Sequence, residues 1–213
     1  MSTEAVIGAA VLLASYLIGS VPFGFLLAKW RKGVDVTEAG SGNIGATNVA
    51  RLAGRGLGAA TLVLDASKGL LPVIVMRYLV VPWVLLSGTD GWGGEGSRAE
   101  EIWIASAGAL AFLGHCFPVW TRMRGGKGVA TALGVLIGLA PWAALAGAVA
   151  YCLVFAAFRV SSAGSLVAAV VAALVAFVHG TVPGTTAVFM TIVVLMKHRE
   201  NIRRLLERSE HRF

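Results

Sequence analysis

VATALGVLIGLAPWAALAGAVAYCLVFAAF, residues Val129–Phe158, contains no charged side chain. As one helix it would measure about 45 Å at ~1.5 Å per residue, too long for an untilted crossing of a ~30 Å hydrocarbon core. Pro141 has no amide hydrogen to give an interior helical turn, so the stretch divides there into two short apolar helices. A second stretch, Leu166–Met196, has a similar length and is interrupted at His179-Gly180-Thr181-Val182-Pro183-Gly184. It divides in the same way.

The rest of the chain agrees with this reading. Of 213 residues, 57% are apolar and only 14% charged, with 27 glycines, more apolar surface than a soluble domain of this size can hide. The start, MSTEAVIGAAVLLASYLIGS, lacks the basic n-region of a secretory signal and carries only Glu4. It reads as a retained first membrane helix, Val6–Ala28. A second run starts near Leu57 and passes Pro72 and Arg77 to about Leu86; a third is Ile102–Trp120. Cys116 and Cys152 lie in apolar runs and read as small hydrophobes, without metal-ligand spacing. The expected fold is an all-α integral membrane protein, residues 1–213 forming a single transmembrane domain.

Charge sets the threading. Lys29, Arg31, Lys32, Arg51 and Arg55 form one basic cluster; Arg122, Arg124 and Lys127 a second; Arg159 stands alone; the tail from Lys197 to Arg212 is the fourth. The loop after the second run carries Asp90, Glu95, Glu100 and Glu101 against Arg98. By the positive-inside rule the basic clusters are cytoplasmic, so an even number of crossings separates each pair. The sum is seven transmembrane helices, with the N-terminus outside and the C-terminus cytoplasmic. In the tail, Ile202, Leu205 and Leu206 share a face among basic residues, as suits an amphipathic helix on the inner leaflet. The net charge of +7 then addresses a membrane surface and anionic substrates rather than nucleic acid.

Two polar strings interrupt this apolar chain on the same predicted face: GSGNIGATN (Gly40–Asn48) and RGGKGVAT (Arg124–Thr131). Exposed backbone N–H groups, hydroxyl and amide donors and a lysine are what a phosphate needs. Tight turns between helices would account for the glycines alone, but not for Ser41, Asn43, Thr47, Asn48 and Lys127 beside them. Thr47 or Asn48 is placed to cap the following helix and turn its positive end toward an anion. Gly40-x-Gly42-x-x-Gly45 fits a dinucleotide fingerprint only in letters, since no buried strand precedes it. A phosphate-binding P-loop fails too, with Thr121 for its first glycine and Gly128 for its hydroxyl residue.

Other polar residues admit two readings each. His115 is either a helix-packing residue or part of the site, and His179 is structural, near the outer face. His198 and Asn201 stand one helical turn apart and either face the site or form a solvated tail. Asp65 and Lys68, within the second span, read as a local ion pair ahead of a catalytic role. No histidine is followed by the aspartate of the His-x4-Asp acyltransferases. A carrier for an organic phosphate would place its groups near the midplane between repeated halves; here no repeat is present and the strings lie at one face.

Gly19-Ser20-x-Pro22 followed by GSGNIGATN, then Gly114-His115-Cys116-Phe117-Pro118 with GGKGVAT, a serine-bearing loop, and His198-Arg199-x-Asn201-Ile202-x-Arg204-Leu205 together resemble the bacterial acyl-phosphate:glycerol-3-phosphate acyltransferases of the PlsY type. The resemblance spans almost the whole chain. It implies seven spans in the bacterial cytoplasmic (inner) membrane, with the active site on the cytoplasmic face. It also implies acyl transfer from acyl phosphate to the 1-hydroxyl of glycerol 3-phosphate, without acyl-CoA or acyl carrier protein as direct donor. The products are phosphate and lysophosphatidic acid, the first acylation of phospholipid synthesis. No cofactor, metal or obligate protein partner is implied; membrane lipid is the surrounding partner.

Carried over by position, Ser41, Lys127 and His198 are the expected catalytic residues. The first motif contributes Gly40, Ser41, Gly42, Asn43, Gly45, Thr47, Asn48 and Arg51 to substrate binding. The second contributes Gly125, Gly126, Lys127 and Gly128, with His115. Ser162 and Ser165 follow from the serine loop, and His198, Asn201 and Glu210 from the tail. The chain departs from the family pattern at Thr37, where Arg is common, at Val160, where an aromatic is usual, and at Arg208, where glycine is common. His198 either orients glycerol phosphate or acts as base; a substrate phosphate oxygen is the other acceptor for the proton.

Overall fold

The computed structural model describes residues 3–86 and 96–212. Asp90 and Glu95 of the acidic loop lie outside the described residues. What is described is helical: α1 (Thr3–Ser20), α2 (Phe23–Lys32), α3 (Ala46–Ala53), α4 (Arg55–Val75), α5 (Val81–Leu86), α6 (Arg98–Cys116), α7 (Val129–Leu139), α8 (Pro141–Phe158), α9 (Ser161–Ala176), α10 (Thr181–Lys197) and α11 (Arg199–Leu206). The predicted breaks are present. Pro141 opens α8 at the first helical position, and Gly180 separates α9 from α10.

The first run is not one helix. Pro22 has no N–H to donate and separates α1 from α2. The carbonyl of Val21 exposed at that break accepts a hydrogen bond from Lys68 Nζ at 2.8 Å. The second run continues beyond Pro72 through a π-helical turn, Met76–Val80, into α5, so Arg77 does not end it.

Among the described residues five helices are long and apolar enough to cross a membrane, and six if the α10–α11 pair, bent by 63°, is one span. Seven crossings require α7 as well, whose 11 residues extend only about 16 Å.

The bundle pairs α1 with α6, α4 with α7, and α8 with α9, while α10 packs on α9 and α6. Lipid offers helices no hydrophobic gain on association, so close backbone packing has to hold them. A Cβ at Gly19 would run into the Ala111 carbonyl, and one at Gly134 into that of Ala66. The core between α4, α6, α7 and α10 is filled by Val73, Phe112, Val135 and Met190. At one end of the bundle the loops before α3, α7 and α9 converge with the chain after α10.

Candidate active site

Those loops enclose a cavity of about 700 Å³. Its polar end is lined by Ser41, Thr47, Arg51, Lys127, Ser162, Ser165, His198, Asn201, Arg204 and Glu210. Its other arm runs between α4, α7, α8 and α9 along Leu62, Leu133, Leu136, Ala144, Ala148 and Ala172. Residues from Gly40 to His211 therefore share one pocket.

The tail organises the polar end. Lys127 Nζ donates to Asn201 Oδ1 at 2.5 Å. Asn201 Nδ2 and Ser162 Oγ donate to Glu210 Oε1 at 2.7 and 3.0 Å, and Arg204 Nε to Oε2 at 2.7 Å. Burial disfavours the charged form of Glu210, but the hydrogen bonds from Arg204, Asn201 and Ser162 outweigh it and hold the carboxyl below its ordinary range. Burial pulls the Lys127 ammonium from 10.5 down to about 8; Arg204 and Arg51 push the same way and Glu210 opposes them. Lys127, Arg51 and Arg204 stand against Glu210, while the other lining carboxylate, Asp65, is paired with Lys68, so the polar end carries a net positive field suited to an anion.

His198 and Asn201 are buried, 2% and 5% exposed, so the site-facing alternative for this pair is the one realised. His198 Nδ1 lies 2.8 Å from the Val194 carbonyl. A carbonyl only accepts, so Nδ1 carries the proton and Nε2 presents a lone pair.

The first glycine string is organised by Asn48. Its Nδ2 donates to the carbonyls of Val36, Ala39 and Asn43 at 3.0, 3.2 and 2.9 Å, and its Oδ1 accepts from the Ser41 amide at 3.0 Å. Asn43 Oδ1 accepts from the Gly45 amide at 2.8 Å. Asn48 spends its whole amide on the loop itself, and Asn43 its Oδ1. Neither Thr47 nor Asn48 caps α3: both sit inside its first turn, and the N-cap is Gly45, in extended conformation without a side-chain cap. The reason is that Asn48 is held from behind by the loop carbonyls. Outside the pocket, Thr37 donates through its amide and hydroxyl to Asp35 Oδ1 at 3.0 and 2.6 Å. These bonds, with Lys29 nearby, hold the Asp35 carboxyl below its ordinary range against desolvation.

The second string also differs from a simple phosphate cradle. Gly42, Gly125 and Gly126 are not among the lining residues, whereas Gly40, Gly45 and Gly128 are. The Gly126 amide donates to the His115 carbonyl at 3.0 Å, and a Cβ at Gly126 would run into His115 Nε2. The paired glycines thus let the loop lie flat on the end of α6 and aim Lys127 at the tail. Gly128, at φ +86° against the Phe112 ring, makes the turn into α7.

Asp65 and Lys68 form the expected ion pair, at 2.9 Å with both side chains 2% exposed. His115 Nδ1 stands 3.6 Å from the same carboxylate oxygen, a third member the sequence did not disclose. Asp65 and His115 both reach the cavity wall. Tyr151, Ser161 and Arg204 also line it without having been singled out. Tyr151 had a signal: a phenolic hydroxyl in an apolar membrane helix calls for a partner.

The fold and the pocket together define an integral membrane protein with a cationic pocket opening into an apolar arm. A family model described as glycerol-3-phosphate acyltransferase matches residues 9–208, and the chain belongs to that family. It is 48% identical over 213 residues to a glycerol-3-phosphate acyltransferase of an Anaeromyxobacter species, covering 99% of this chain and 98% of the relative. It is 47% identical to that of Myxococcus xanthus, covering 96% and 98%. The chain is also similar to the crystal structure of PlsY (YgiH), an integral membrane glycerol 3-phosphate acyltransferase, in its glycerol 3-phosphate form, at TM-score 0.82 and 36% identity over 97% of this chain and 95% of that one. The lysophosphatidic acid form of that protein aligns at TM-score 0.79.

Proposed function

We propose that this chain transfers a fatty acyl group from acyl phosphate to the 1-hydroxyl of glycerol 3-phosphate, giving lysophosphatidic acid and inorganic phosphate. One observation carries the reading: a single cavity joins a cationic, hydroxyl-rich end to an arm of small apolar side chains. From Ser161 to Ala172 the cavity follows α9 for about 16 Å, from its polar end into the apolar arm. Each methylene it takes from water contributes about 0.8 kcal/mol.

Lys127, Arg51 and Arg204 offset the charge of two phosphate-bearing substrates, with Ser41 as a hydroxyl donor, while Ser162 and Ser165 spend their protons on Glu210 and the Ser161 carbonyl. Because phosphate is already a good leaving group, holding the two reactants together is the main task and no acyl-enzyme is needed. The 1-hydroxyl oxygen attacks the acyl carbon, and the carbonyl pair moves to oxygen. On collapse the acyl–phosphate C–O bond breaks and phosphate departs with its electron pair. His198 Nε2 accepts the hydroxyl hydrogen, and the proton leaves on phosphate.

The same reading assigns one domain with seven crossings, α1–α2, α4–α5, α6, α7, α8, α9 and α10, in the bacterial inner membrane, with the pocket cytoplasmic. A crossing by the short α7 sets Lys127 below headgroup level. Maleimide labelling of Glu38→Cys and Arg124→Cys from the cytoplasmic side, and of Arg98→Cys from outside, tests the orientation. Incubation with acyl phosphate and radiolabelled glycerol 3-phosphate tests the reaction: the expected products are labelled lysophosphatidic acid and an equal amount of phosphate. A carrier or a scaffold forms neither.

A further inference from the structure

Ser161 Oγ lies 3.1 Å from Thr47 Oγ1 and 2.9 Å from the Tyr151 hydroxyl. Three helices, α3, α9 and α8, thus bring three hydroxyls into one chain on the cavity wall. Three hydroxyls carry three protons, and two bonds between them consume two. One proton is left over, and among the described residues no further acceptor takes it. The cavity wall presents that surplus donor to whatever ligand fills the pocket.

Its position says which part of the ligand. On one side Thr47 stands one helical turn from Arg51 and the phosphate-binding end. On the other, the Tyr151 ring stacks on Phe155, centroids 5.8 Å apart at 7°, and Phe155 lines the apolar arm. The hydroxyl chain therefore straddles the border between the two arms. Acyl phosphate has one group at that border, since its carbonyl carbon alone joins phosphate to aliphatic chain.

We propose that the Thr47–Ser161–Tyr151 hydroxyl chain donates its surplus proton, as a hydrogen bond, to the acyl carbonyl oxygen. The bond strengthens as that oxygen gains charge in the tetrahedral intermediate. The proton remains on the hydroxyl throughout, and collapse returns the pair to the carbonyl as the bond between the acyl carbon and the phosphate oxygen breaks, phosphate leaving with that bond's electrons. This assignment rests on the acyl-transfer reading and adds to it a stabiliser of the transition state.

The test compares the parent with Tyr151→Phe, Thr47→Val and Ser161→Ala in purified, detergent-solubilised enzyme, with Thr47→Ser as the conservative control. Steady-state rates are measured for both substrates. Inhibition is measured with a β-ketophosphonate and with an alkyl phosphonate of equal chain length that lacks the carbonyl. The variant at the donating end is expected to lose about 10²-fold in kcat, the scale of a removed oxyanion donor, with KM for glycerol 3-phosphate within about twofold. The same variant loses the parent's preference for the ketophosphonate while binding the alkyl phosphonate as before, which also reports an intact fold. If Thr47 is the donating end, Thr47→Ser restores kcat. Thr47→Val, Tyr151→Phe and Ser161→Ala all keeping kcat within twofold overturns the proposal, as does a loss shared equally by the two phosphonates or one confined to KM for glycerol 3-phosphate. A parent that forms no lysophosphatidic acid defeats the acyl-transfer reading and this assignment with it; an active parent with unaffected variants defeats this assignment alone.

Discussion

Replacing Lys127 with methionine removes a buried cation while nearly keeping its volume. A unit charge 4 Å from a phosphate contributes about 4 kcal/mol at an effective dielectric of ~20. A hydrogen bond to a charged group is worth about 1.5–3 kcal/mol net. Part of that gain is offset by desolvation, the same effect that lowers the ammonium to about 8. A net loss near 3 kcal/mol corresponds to about 10²-fold in kcat/KM, at about 1.4 kcal/mol per tenfold. Asn201 Oδ1 loses its donor as well, which adds to the effect. The pH profile gives an independent check. Below about pH 8 Lys127 is charged and binds phosphate; above it the charge is lost, so kcat/KM of the parent falls toward tenfold per pH unit. An ordinary lysine would delay that limb to 10.5. Lys127→Arg, always charged, removes the alkaline limb even if its maximal rate is lower. Transfer of acyl phosphate to labelled glycerol 3-phosphate between pH 6 and 10 reads both effects. A methionine variant within twofold of the parent, or an unchanged limb in the arginine variant, refutes the assignment.

Ala172→Phe fills the deep end of the apolar arm and is expected to shift preference toward shorter acyl phosphates, read as kcat/KM across a chain-length series. Gly126→Ala drives a methyl into His115 and costs about 1–3 kcal/mol of stability by overpacking, measured by thermal unfolding in detergent. In a His115→Ala background the same change is nearly neutral, and an undiminished penalty there counts against the packing account. Glu210 has a folded pKa below its unfolded one, so its contribution is present above the ordinary carboxylate range and disappears as pH falls through the folded value. Melting temperatures between pH 7 and 3 should therefore drop more steeply at the acid end for the parent than for Glu210→Gln.

The apolar runs and their breaks at Pro141 and Gly180 were legible in the residues, because a lipid-spanning chain must satisfy every backbone group within its own helices. So was the gathering of Ser41, Lys127, Ser162, His198 and Asn201 at one end, since charge bias and crossing parity restrict which loops can meet. The roles of the glycines were not. Gly125 and Gly126 look like a cradle in sequence, yet they serve close packing on His115, which depends on where the end of α6 lies. Asn48 likewise looks like a ligand and proves to hold the carbonyls of its own loop. The Asp65–Lys68–His115 cluster and the Thr47–Ser161–Tyr151 hydroxyl chain join residues from separate helices. Sequence by itself determined which segments are apolar enough for lipid and which polar strings meet at one end of the bundle, because those follow from hydropathy and charge along the chain. Tertiary structure alone decided which side chains remain free for a ligand, because a hydrogen-bonding group is available only when no neighbour, near or distant in sequence, has already satisfied it.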